Sequence, residues 1–254
     1  MEENLKKKTI NGMLWQFLQK ISGQLISFII SVILARILSP SDYGLVALAG
    51  MFLVLMGIFS NGGLAPALIQ KKEVDDEELN TMFVTQLVFA SILYVIVFFC
   101  APIFAGFFKS VNTPLLISVI RVLALTMPLG SLIGVQYAVV TRRLMFKWYF
   151  YANLVSLVVS GSIGLYMAYN GYGAWALVGQ SISSTITSTI VIFCLLDWHP
   201  KFRFSYSCFK PLFSQGLKYM GTTLIGTITS QVKGYALGLK YSAADLAYPQ
   251  IRNL

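Results

Sequence analysis

Four basic residues stand inside long apolar stretches of this 254-residue chain: Lys20, Arg121, Lys218 and Lys233. A charge at the centre of a hydrocarbon layer costs at least ~2.5–3.5 kcal/mol, so such a residue normally faces a cavity or a partner. Lys20 belongs to a polar seam of Gln16, Lys20, Gln24, Ser27 and Ser31, whose spacing puts all five on one helical face. Lys218, Thr222, Gly226, Thr229 and Lys233 follow the same rhythm near the C-terminus. Two readings stand for each seam. Ser, Thr and Gln glue helices to one another in membranes, or a water-filled cavity solvates the lysine. Lys218 lies about four residues (~6 Å) from the end of its segment and could snorkel to the headgroups. Arg121 sits ~9 Å inside its segment by the same rise, and Lys20 about ten residues in. A lysine in each seam favours the cavity.

The chemistry such a cavity offers is anion binding. The ten acidic residues all fall in the N-terminal tail or in connectors: Glu2, Glu3, Asp42, Glu73, Asp75, Asp76, Glu77, Glu78, Asp197 and Asp245. Ion coupling and cation binding usually need a carboxylate within the membrane, so a cationic, acid-free interior points instead to a phosphate-bearing substrate. The run Asp75 to Glu78 reads as a solvated face or a helix start. His199, the single histidine, has no Cys or acid cluster beside it. No Gly-rich phosphate loop exists, and Cys100, Cys194 and Cys208 show no ligand spacing. We therefore expect no enzyme chemistry, no metal and no cofactor.

The elements that must hold these residues are membrane helices. Hydrophobic residues make up 56% of the chain and charged ones only 11%, with mean hydropathy +0.71, whereas a soluble domain carries about 25% charged residues. Tyr43–Gln70, Leu79–Phe108 and Trp148–Leu196 contain no charge at all over 28, 30 and 49 residues. A membrane helix needs about 20 apolar residues. Hydropathy and turn signals predict an all-α polytopic membrane protein of about seven spans, near 10–38, 43–69, 80–107, 115–140, 149–169, 174–196 and 214–240. With the N-terminus cytoplasmic, eleven basic residues fall inside: Lys6, Lys7, Lys8, Lys71, Lys72, Arg142, Arg143, Lys147, Lys201, Arg203 and Lys210. Lys109 and Arg252 fall outside, with Arg36 and Lys240 at the outer lip. That bias sets the orientation and accounts for most of the +9 net charge, so no nucleic-acid partner is implied. Phe146–Tyr151 and Trp198–Phe204 read as aromatic belts at the interface.

Between the first two spans, Ser39 can cap the next helix, Pro40 suits its first position and Asp42 its third. Ser242–Asp245 repeats this spacing. It reads either as a second copy of the first-span pattern or as an independent cap. The division that follows is a basic tail at 1–9, a six-helix lobe at 10–196, a cytoplasmic linker at 197–213, and a truncated start of a second lobe at 214–254.

LARILSPSDYGLVALA (Leu34–Ala49), Gly63-Leu64 with Ala67–Gln70, TRRLMFKW (Thr141–Trp148) and GYGAWALVGQ (Gly171–Gln180), in this order, resemble the polysaccharide-export flippases. These are the O-antigen, exopolysaccharide and teichuronic-acid repeat-unit flippases of the multidrug/oligosaccharidyl-lipid/polysaccharide superfamily. In that resemblance Arg36, Ser39, Pro40, Asp42, Gly44, Gly171, Gly173 and Trp175 are structural motif residues. It implies a bacterial inner-membrane transporter with two six-helix lobes around a central cavity. Its substrate would be a polyprenyl-pyrophosphate-linked oligosaccharide, and a polysaccharide polymerase and glycosyltransferases would be its partners. Such proteins have twelve to fourteen spans, so this chain is similar to a first lobe plus one helix, which suggests a fragment. Span seven often carries an acid where Lys233 stands here. Two alternatives remain at this stage: a cation-coupled small-molecule antiporter, and a non-transporting scaffold for a polysaccharide synthase complex.

Overall fold

The computed structural model describes the backbone of residues 2–61, 63–71, 74–108 and 112–240, and the side chains of residues 12–60, 63–71, 74–108 and 112–226. Ser242–Asp245 and Arg252 lie outside the described residues. The elements run α1 (Glu2–Ile37), α2 (Pro40–Asn61), α3 (Leu64–Gln70), α4 (Asp76–Gly106), α5 (Thr113–Leu123), α6 (Thr126–Arg142), α7 (Phe146–Tyr169), α8 (Ala174–Leu195) and α9 (Tyr206–Lys240). A helix satisfies its own backbone, which hydrocarbon cannot do, and the charge-free runs leave no other way across a bilayer. Among the described residues, six segments are long and apolar enough to cross one: Gly12–Ile37, Pro40–Ser60, Asp76–Gly106, Thr113–Arg142, Phe146–Tyr169 and Ala174–Leu195. The chain is an all-α polytopic membrane protein.

Two of the predicted spans are broken. Span two ends at Gly63, whose φ of 64° stops α2 from running on into α3. Span four splits into α5 and α6 because Pro128 has no N–H for the carbonyl four residues before it. That carbonyl, on Ala124, accepts instead from the backbone N–H of Met127 at 3.0 Å, and the chain tightens there. The seventh predicted span falls within α9, a 35-residue helix that begins at Tyr206, earlier than its apolar stretch suggests.

Counting α2 with α3 and α5 with α6 as single legs, the chain alternates in direction, so the bundle has two ends. The first, where α1 starts, gathers the α3–α4, α6–α7 and α8–α9 connectors with their basic residues. The second gathers the α1–α2, α4–α5 and α7–α8 connectors. Helix α7 packs chiefly against α8 and α1, and residues of all three share one buried cluster, Ile30, Leu34, Ala168 and Ala176. Gly161 permits the α1–α7 approach, since a β-carbon there would stand 2.3 Å from Cδ1 of Ile30. Two buried clusters hold the rest. Leu45, Phe52, Val97, Leu116 and Val178 join α2, α4, α5 and α8. Leu68, Met82, Phe83, Val135 and Leu212 join α3, α4, α6 and α9. Helix α1 is peripheral. Its Met13, Phe17, Leu25, Phe28 and Ile29 are exposed, an apolar face that acyl chains would cover.

Asp75–Glu78 is a helix start, with Asp75 at the N-cap position and Asp76, Glu77 and Glu78 in the first turn of α4. It is solvated only in part. Asp76 and Glu77 are exposed, but Glu78 is buried and ion-paired with Lys71, because α3 packs its C-terminal end beside the start of α4.

Candidate functional site

The α1 seam lines a groove. Gln16, Gln19, Lys20, Gly23, Gln24 and Ser27 form one wall of an open cavity of about 680 Å³. The facing wall is Phe146, Tyr149, Asn153 and Leu157 of α7, at steps of three, four and four, and Tyr137 of α6 closes one side. The Tyr137 and Tyr149 rings meet edge to face with centroids 5.2 Å apart. Steps of three and four on α1 and on α7 each select one face, and the Gly161 approach sets those faces against each other. No Asp or Glu lines the groove. Lys20 has no hydrogen-bond or ion-pair partner among the described residues. Ser31, one helical turn beyond Ser27, is exposed and does not line it.

The other basic residues are elsewhere. The Nε of Arg121 donates to the carbonyl of Phe98 at 3.2 Å, and its guanidinium carbon lies 4.1 Å from the centroid of the Phe98 ring. The cause is Pro102 inside α4, which removes the N–H that would have bonded that carbonyl. A freed carbonyl in hydrocarbon needs another donor, and Arg121 supplies it from α5. Lys218 is exposed on α9, and Thr222 donates to its own helix at the carbonyl of Tyr219, 2.8 Å away. Of Thr229 and Lys233 only the helical backbone is described, so their side chains lie outside the described residues.

The motif residues meet at the second end. Ser39 and Asp42 cap α2 reciprocally. The backbone N–H of Asp42 reaches Oγ of Ser39 at 3.3 Å, and the Ser39 N–H reaches Oδ2 of Asp42 at 3.1 Å. The Ser39 hydroxyl donates to the same oxygen at 2.5 Å. The free oxygen of Asp42, Oδ1, accepts the N–H of Ala174 at 2.9 Å and so holds the start of α8, 132 residues away. Gly173 makes the approach possible. Its φ of 55° and ψ of −130° suit glycine alone, and a β-carbon would stand 3.0 Å from Oδ1. Gly171 also has positive φ, Gly44 is buried, Trp175 packs on the α2–α5 core, and Arg36 is exposed.

Sequence reasoning missed several of these roles. Arg142 counted only toward topology, yet its Nη1 donates to the carbonyls of Leu68 (2.8 Å) and Ile69 (3.3 Å) and to that of Lys71, closing the C-terminal end of α3. No sequence signal joined the two, because Arg142 lies more than 70 residues from the end of α3. Tyr149 and Asn153 of the groove carried none, because a single polar residue per turn on an apolar helix does not declare a face.

A polytopic helical membrane protein with a cationic, carboxylate-free groove between two of its spans is a transporter-like architecture. Residues 33–251 match the family model described as polysaccharide biosynthesis protein, and the chain belongs to this family of polysaccharide-export flippases. It is 27% identical over 239 residues to the succinoglycan biosynthesis transport protein ExoT of Rhizobium meliloti, covering 91% of this chain and 48% of that protein. It is 21% identical over 240 residues to the teichuronic acid biosynthesis protein TuaB of Bacillus subtilis, covering 92% and 48%. The lipopolysaccharide biosynthesis protein WzxC of Escherichia coli is 26% identical over 122 residues, 48% of this chain and 24% of that protein. The chain thus spans about half the length of the first two. No solved structure matches it.

Proposed function

We propose that this chain serves a flippase that carries polyprenyl-pyrophosphate-linked oligosaccharide repeat units from the inner to the outer leaflet of a bacterial inner membrane. The first, basic end of the bundle is the cytoplasmic end in this reading, and the N-terminus is cytoplasmic. The observation that carries it is Lys20: an exposed ammonium without a partner among the described residues, in a polar groove within a membrane-spanning segment, with no carboxylate on the lining. An ammonium there attracts a diphosphate, and the surrounding amides and phenols exchange hydrogen bonds with sugar hydroxyls. The lipid tail would stay in the bilayer, and rocking of one lobe against another would expose the groove to each side in turn. Arg121 is engaged by Phe98 and Lys218 lies outside the groove lining, so Lys20 leads the binding. Glycosyltransferases on the cytoplasmic face and a polymerase outside are the partners this chemistry calls for.

The test is binding of undecaprenyl pyrophosphate by the purified protein in nanodiscs. A charge-assisted hydrogen bond of ~1.5–3 kcal/mol predicts a loss of about ten- to hundredfold for Lys20→Ala. Lys20→Arg should keep most of the affinity, and Lys20→Glu should bind more weakly than Ala. Equal binding by Lys20→Glu and the unmodified protein would overturn the assignment.

A further inference from the structure

A second cavity of about 500 Å³ lies between α2, α7 and α8, lined by Tyr43, Ser160, Gln180, Ser181, Ser184 and Thr185 among others. It adjoins the Lys20 groove along one face of α7. Phe146, Tyr149, Asn153 and Leu157 line the groove, and Leu157 and Ser160 line the second cavity. From Asn153 to Ser160 is seven residues, ~10 Å along the helix. Leu157 is common to both linings, and it reaches α1, where a β-carbon added to Gly23 would meet it at 3.7 Å.

The two cavities differ in charge. The groove holds Lys20, whereas the lining of the second cavity contains no charged residue at all. Its lining is mostly apolar, with Val46, Ala47, Leu157 and Leu177, and its polar groups are hydroxyls and one amide, of which the Ser160 hydroxyl already donates to the carbonyl of Leu157 at 3.3 Å. Ser184 and Thr185 are engaged by Ser156 and by the carbonyl of Ser181. The Gln180 amide and the Ser181 hydroxyl have no partner among the described residues. Such groups exchange hydrogen bonds with neutral hydroxyl- and acetamido-bearing ligands and give an anion nothing to replace an ammonium.

We infer that the second cavity receives the uncharged glycan of the substrate and that Leu157 is the apolar partition that keeps the phosphates on the Lys20 side. This rests on the flippase reading. An anion crossing Leu157 would leave its counter-charge for a neutral site within the membrane, whereas a sugar trades one set of hydroxyl partners for another. Leu157 thereby sets the register of the substrate, with diphosphate on one side and sugar on the other.

The experiment is protection of single cysteines from maleimide in the purified protein in nanodiscs, with Cys100, Cys194 and Cys208 replaced by Ser. Ser27→Cys reports the groove and Ser181→Cys the second cavity, both near-isosteric changes. The probes are farnesyl pyrophosphate and a farnesyl-pyrophosphate-linked disaccharide of neutral sugars. The sugar-free probe should slow labelling of Ser27→Cys at least tenfold and leave Ser181→Cys unchanged, and the glycosylated probe should protect both. Adding Leu157→Trp should abolish protection of Ser181→Cys and retain that of Ser27→Cys. Leu157→Phe replaces it if the tryptophan variant does not insert. Protection of Ser181→Cys by the sugar-free probe, or protection by the glycosylated probe that ignores both Leu157 changes, would overturn the inference. Failure of both probes to protect Ser27→Cys would instead overturn the flippase reading, and the inference would fall with it.

Discussion

The Asp42 junction and the Lys20 groove use the same kinds of residue to opposite ends. At the junction the polar atoms are consumed by structure. One carboxylate caps α2 through Ser39 and anchors α8 through the N–H of Ala174. In the groove a charged group, four amides and two phenols line open space, and Lys20 has no partner among the described residues. Polar groups in a membrane protein either satisfy one another or wait for something else, and only the unsatisfied ones are candidates for a ligand. Arg121 shows how the distinction can mislead. As a type and a depth it resembles Lys20, but its guanidinium already serves the carbonyl that Pro102 leaves free.

Substitutions at four positions probe that contrast. The largest effect is expected from Asp42→Ala, which removes the α2 cap and strands the N–H of Ala174. Together these should cost about 2–4 kcal/mol, read as a lower unfolding temperature in detergent and less inserted protein. Asp42→Asn, which keeps an acceptor, should be milder, and unchanged stability of Asp42→Ala would erase the contrast. Next is Lys20→Ala, with the reverse signature. Export per inserted molecule should fall about ten- to hundredfold, while the unfolding temperature stays within a degree or two. A parallel fall in abundance would make Lys20 structural as well.

Gly173→Ala should cost about 1–3 kcal/mol, because the backbone geometry there excludes a side chain and the new methyl group presses on Asp42. In a double-mutant cycle with Asp42→Ala its cost should shrink, and strict additivity would show that the two do not act as one unit. The smallest effect is reserved for Lys218→Ala. This lysine lies outside the groove lining and should change export less than about threefold, and a loss equal to that of Lys20→Ala would move the centre of binding toward α9.

Much of the molecule was readable from residue order. Charge-free runs longer than a bilayer is thick leave the backbone no alternative to helix, so Tyr43–Gln70 and Trp148–Leu196 announce spans by themselves. The cap at Ser39-Pro40-Ser41-Asp42 and the polar face of α1 are equally local, since both arise within a turn or two of one helix. The breaks at Gly63 and Pro128 were less legible. A single glycine or proline in an apolar run interrupts a helix only if the chain on either side packs in a new direction.

What tertiary structure alone decided is which local faces meet. Nothing near Asp42 in the chain points to Ala174, and nothing near Arg142 points to the end of α3, because those partners lie 132 and more than 70 residues away. The same holds for the groove. Spacing put Gln16, Lys20, Gln24 and Ser27 on one face of α1, but only the packing of α1 on α7 at Gly161 supplied the opposing wall of Tyr149, Asn153 and Leu157. The periodicity of a helix is a property of consecutive residues, whereas its neighbour in a bundle is chosen by shape and by the need to satisfy freed backbone groups. Sequence therefore defined what Lys20 could do, and packing decided that, among the described residues, it has no partner while Arg121 has one.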